Sequence, residues 1–145
     1  MKLTTPTLLE GVADALRDQI APQVNDDFAG QAVRMAQSLL RIVARSADDA
    51  AHVRITENAA IRVLLGEGAE LVQDPAFARR LVEAAESSET GYRISELDAE
   101  SGRLRTLMIE LHAWLEEQQD EACRALDRTI WDAMAEVEQV RIPLA

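Results

Sequence analysis

The chain has 145 residues, 48% of them hydrophobic but only 3% aromatic, and its 15 basic and 26 acidic side chains leave a net charge of −11. A chain of this size buries about 70% of its extended surface on folding, so an aliphatic core is expected without metals or disulfides, and the single Cys123 excludes an intrachain bridge. The 24 Ala and 17 Leu against six Gly and four Pro favour helix and argue against an all-β sandwich or barrel, while the acidic balance opposes a broad nucleic-acid-binding surface.

The fold class read from these features is all-α, a helical bundle of four to six helices with a long C-terminal helix, in one domain over 1–145. Thr5 followed by Pro6 suits an N-cap with proline in the first turn. Leu9, Val12, Ala13, Leu16 and Ile20 then share one face, which predicts an amphipathic helix over about 6–21 that Pro22 stops. Asn25, Asp26 or Asp27 caps a second helix running to about Ser46, with Phe28, Ala32, Ala36, Leu39, Leu40 and Val43 as its buried face. Ala47 to Leu65 forms a third stretch, as one helix or two, with Gly66 as its terminator and Glu67 to Gln73 as loop or short turn. Asp74-Pro75 starts a short helix whose buried face is Phe77, Leu81, Val82 and Ala85. Ser87 to Ser101 reads as a loop, with Ser95 to Ala99 able to make a helical turn.

From Leu104 onward, Leu104, Met108, Leu111, Leu115, Ala122, Leu126, Ala133, Val137 and Val140 keep within one stripe on a straight helical wheel. A single helix from about Gly102 to Arg141 is the preferred reading. The alternative is a break at Gln118-Gln119-Asp120, where Asp120 caps a new start. Pro143 lies beyond this stretch.

Two surfaces carry the functional reading. Phe28 to Ser46 contains no acid, and Arg34, Arg41 and Arg45 fall within about 40° of one another opposite the apolar face. Guanidinium forks suit carboxylate or phosphate partners, so this strip is a docking site for an acidic partner or an anionic metabolite, set against the blander reading of a solvated face. Glu67 to Glu100 carries nine acids against three arginines, and pairing of that segment with the strip in a second copy would orient a homodimer. Trp131 points away from the Leu104 stripe, on a side shared loosely with Ile109 and Ile142, as an interface anchor or a residue covered by a neighbouring helix.

Reactive chemistry finds little footing. Asp49 and His52 have Asp-x-x-His spacing, but Glu110 stands two positions before His112. His112, Glu116 and Cys123 share one flank yet span too much rise for one ion. Cys123 reads as a small, partly buried thiol. There is no Gly-x-Ser-x-Gly elbow, Gly66-Glu67-Gly68 is not a phosphate loop, and no helix-turn-helix with a basic recognition helix is present. No catalytic residue, metal site or cofactor is therefore expected. The first 13 residues lack a signal peptide's basic start and apolar core, and no run approaches the ~18 apolar residues of a membrane span, so a cytoplasmic location is expected.

Pro6, Leu8, Leu9, Val12, Leu16, Ile20 and Pro22, followed by Phe28, Val33, Leu39, Val43 and Arg45, resemble the start of a family of small bacterial all-helical proteins of unknown function. The resemblance covers about the first 65 residues, up to Leu64-Leu65-Gly66. The family tends to end in an Asn-Pro-Arg-Tyr-like segment, whereas this chain ends Val-Arg-Ile-Pro-Leu-Ala. Because such proteins are encoded near aminoglycoside-phosphotransferase-like kinases and acyl-CoA dehydrogenases, the resemblance implies partnership with one of those enzymes. The resulting expectation is a non-catalytic interaction module that self-associates or docks on a partner enzyme through Arg34, Arg41, Arg45 and Trp131. The alternative is a binding protein for an anionic or acyl small molecule, held in a pocket between alanine-rich helices.

Overall fold

The computed structural model describes residues 3–141, of which 138–141 are described by their backbone alone. The expectations for the Val140 side chain, Ile142 and Pro143 lie outside the described residues. Among the described residues five α-helices follow one another without a strand: α1 Thr5–Ala15, α2 Asp27–Leu71, α3 Pro75–Ala85, α4 Ile94–Glu116 and α5 Glu121–Arg141. The chain divides into two compact units, residues 1–50 and 51–145, and α2 contributes to both.

Local chemistry sets most helix ends. Thr4 caps α1, one residue earlier than expected, with its hydroxyl accepting from Thr7 N. One π turn, Leu16–Ile20, and one 3-10 turn, Ala21–Gln23, then bring the chain round at Pro22. Asp26 accepts from Ala29 N at 2.7 Å at the start of α2, and Asp74 accepts from Phe77 N at 2.9 Å at the start of α3.

Other boundaries also differ from the sequence reading. The second helix does not stop at Ser46, nor does the third at Gly66; α2 continues through both to Leu71. Ser46 returns its hydroxyl to Val43 O inside the helix, and no proline falls between Pro22 and Pro75 to break the ladder. Conversely, the stretch from Gly102 to Arg141 is not one helix. It breaks after Glu116, and Asp120 accepts from Cys123 N at 2.9 Å to cap α5. The break resets the register, so α5 buries Cys123, Leu126 and Ile130 while Ala122 is exposed. The expected loop at Ser87–Ser101 shortens because α4 already starts at Ile94, where Glu96 reaches back to Arg93 N.

In unit 51–145 one aliphatic core draws Ile61, Leu64 and Leu65 from α2, Leu81 and Ala84 from α3, Leu104, Leu107, Met108, Leu111 and Leu115 from α4, and Cys123, Leu126 and Ile130 from α5. Val82, placed on the buried face by periodicity, is exposed. In unit 1–50 the fully buried residues among those described are Ala13 and Ala44. A Cβ at Gly66 would meet Ala85 Cβ at 3.6 Å, an ordinary contact, whereas at Gly68 it would lie 2.8 Å from Leu111 Cδ1, inside the core.

Both glycines are helical, so alanine gains about 1 kcal/mol of helix propensity at each. At Gly68 overpacking, ~1–3 kcal/mol, exceeds that gain. Gly66→Ala is therefore expected to raise the thermal midpoint and Gly68→Ala to lower it, as read by circular dichroism; the same sign at both sites would refute the packing of α2 on α4.

Candidate functional site

Unit 51–145 carries a cluster of charged side chains beside its apolar core. Arg62 of α2 is largely buried and donates to Glu89 Oε1 at 2.6 Å and Glu100 Oε1 at 2.8 Å. Arg103 joins Glu100 from one turn further along α4, at 2.7 Å. Ser87 links the set, accepting from Arg62 Nε and Arg103 and donating to Ala84 O. Asn58 donates to Glu89 at 3.2 Å, leaving its own Oδ1 and Ser101 Oγ buried without partners. Each of Arg62, Arg103, Glu89 and Glu100 meets an opposite charge, so the cluster locks α2, α4 and the connection at 86–93 together.

The hydrogen bond from Arg103 holds the Glu100 carboxyl below the usual carboxylate range, with Arg62 adding to it, and together they outweigh the opposing effect of burial. Burial lowers Arg62's affinity for its proton, but Glu89 and Glu100 more than compensate.

A second feature is a hollow of about 560 Å³ between α2, α4 and α5. Its walls are mainly apolar, with Val53, Ala60, Leu64, Met108, Ile109 and Met134 prominent, and its polar lining includes His52, Glu57, Arg105 and Glu136. Glu57 is buried and paired with Arg105. Sequence reading missed this site because its liners are spread from His52 to Val137 over three helices, and no local pattern joins Glu57 to Arg105.

The third feature is in unit 1–50. Phe28, Met35, Leu39 and Val43 of α2 lie within about 80° at 100° per residue, and they are between 50% and 81% exposed. Leu8 and Val12 of α1 are also exposed. This corrects the expected buried face: Phe28, Leu39 and Val43 face outward, whereas Ala44, with the half-buried Val33, Ala36 and Leu40, occupies the neighbouring side. Two apolar stripes thus share one helix, and periodicity assigned burial to the larger side chains.

Arg34, Arg41 and Arg45 are all exposed on this part of α2. Arg41 pairs with Asp14 of α1 at 2.9 Å, so one of the three is engaged within the unit. Both groups are roughly half exposed, and such a pair contributes about 0–1 kcal/mol. Trp131 belongs to the other unit, on α5, where it is 54% exposed and its ring meets His112 edge-on at 5.2 Å. His112 Nδ1 lies 2.6 Å from Asp127 Oδ1, and Glu116 stands 3.6 Å from Nε2. Cys123 does not join them. Burial pushes its thiol up to about 11, with the nearby Asp120 adding to the effect, so it is a poor nucleophile.

Among the described residues no group of three or more His, Cys, Asp and Glu side chains is arranged to hold a metal ion, and no helix is long and apolar enough to cross a membrane. Comparison with family models, curated proteins and solved structures finds no match to this chain.

Glu100→Gln removes one side of a largely buried pair. The usual loss is ~3–5 kcal/mol, and the half-exposed Arg103 reduces it to about 2–3 kcal/mol at neutral pH. Because the folded carboxyl ionises at lower pH than the unfolded one, its contribution is complete above the ordinary glutamate value of ~4.3 and is lost as pH falls through the folded value. Urea denaturation across a pH series is expected to show wild type and variant converging in acid; a constant gap would contradict the ion-pair account. The Cys123 thiol is expected to react with a disulfide reagent on the order of 100-fold more slowly in the native protein than in urea, and equal rates would contradict its burial.

Proposed function

We propose that the protein is a non-catalytic helical interaction module that associates with a second copy of itself through the open apolar stripe of α2 in unit 1–50. The observation carrying this reading is the outward placement of Phe28, Met35, Leu39 and Val43. An α1 of 11 residues is too short to be stable alone, and the two fully buried alanines supply little apolar burial to hold it. Covering the stripe supplies what the unit lacks.

Charge favours a second copy as the cover. Residues 1–50 hold five basic and seven acidic side chains, whereas 51–145 hold ten and nineteen. Two copies meeting through the first unit therefore encounter far less like-charge repulsion than through the second. The association is concentration-dependent, because full burial gains ~1.5–3 kcal/mol per large apolar side chain while association itself costs ~4–15 kcal/mol. Arg34 and Arg45, exposed on the same length of α2, and Trp131 on α5 are the groups by which the same module would dock on an acidic enzyme of the kinase-like or acyl-CoA-oxidising kinds that the resemblance implies.

Sedimentation equilibrium tests the reading. A dimer is expected at tens of micromolar, roughly the range for a modest interface, with Leu39→Glu giving a folded monomer and the combined Arg34→Glu, Arg41→Glu, Arg45→Glu variant a weakened dimer. A monomeric wild type at that concentration, or a Leu39→Glu chain of unchanged mass, removes the proposal.

A further inference from the structure

We infer that the hollow between α2, α4 and α5 is a binding site for a hydrophobic cation, an apolar body bearing one positive charge. Its volume, about 560 Å³, falls within the ~300–1,000 Å³ range of small-molecule sites. Apolar walls favour an apolar body and leave selectivity to the few charges present. Arg105 and Glu57 neutralise one another across the lining. Among the described lining residues, with histidine counted as neutral, Glu136 leaves one negative charge, within a chain of net charge −11. Both the local carboxylate and the long-range field therefore select a cation over an acyl carboxylate of the same bulk.

Two features fit that ligand further. Met108 and Met134 place polarisable thioethers in the wall, where they adapt to ligands of irregular shape. Glu136 is exposed, so it keeps its hydration until a ligand arrives, and it meets the charged end at the opening while the body enters between Ala60, Met108 and Ile109. The site lies wholly in unit 51–145 and does not depend on self-association.

The test is a calorimetric titration of the full chain with tetraphenylphosphonium and with tetraphenylborate, bodies of nearly the same shape and opposite charge. The phosphonium is expected to bind one-to-one and at least about 10-fold more tightly than the borate, a preference of one decade or ~1.4 kcal/mol. Glu136→Gln is expected to cut that preference several-fold. Ala60→Arg, at an exposed helical position where arginine is well tolerated, is expected to abolish phosphonium binding with the helical spectrum unchanged. Equal or tighter binding of the borate, no binding of either ion at millimolar concentration, or phosphonium binding unaffected by both substitutions would overturn the assignment.

Discussion

Arg62 extends from α2 into a place where an aliphatic side chain would otherwise pack, and two carboxylates from later in the chain meet it there, Glu89 from the connection before α4 and Glu100 from α4 itself. Removing a guanidinium from water is costly, and the cost is recovered only when nearly all of its donors are engaged in good geometry. That requirement fixes the position of α4 along α2 far more sharply than interchangeable leucines would, because a slide of one turn would strand buried charges. Asn58, one residue after Glu57, belongs to this cluster, while Glu57 belongs to the lining of the hollow. The same turn of α2 therefore serves the interior on one side and the candidate ligand site on the other.

The two units distribute hydrophobicity in opposite ways. Residues 51–145 collect their leucines into a core and leave alanines, methionines and a balanced ion pair around a hollow. Residues 1–50 bury alanines and present larger apolar side chains outward. A chain this poor in aromatic residues has little bulk to use, and where Phe28, Met35, Leu39 and Val43 are left uncovered, the apolar surface is available for recognition. The charge distribution points the same way: the unit with the open stripe is nearly neutral, and the unit with the hollow carries most of the negative charge. Association is favoured at one and cation attraction at the other.

Much of this was legible residue by residue. Asp26, Asp74-Pro75 and Asp120 are capping signals, and each caps a helix, because a cap is a local hydrogen bond formed within three residues. Leu104, Met108, Leu111 and Leu115 were legible as a buried stripe for the same reason. The continuity of α2 was not, since the glycines and serines that end some helices are tolerated in others where packing compensates. The arginine strip was legible as an exposed face, yet the Asp14 partner of Arg41, 27 residues away, was not.

The amino-acid order alone settled the all-helical class and the cap of α3 at Asp74-Pro75, because propensity and capping act over a few neighbouring residues. Only the folded chain decided which of two apolar stripes on α2 became covered, where the helix after Gly102 broke, and which charges entered the interior. Burial belongs to pairs of surfaces, and Arg62 meets Glu100, 38 positions further along the chain. Periodicity within one helix carries no information about a partner that distant.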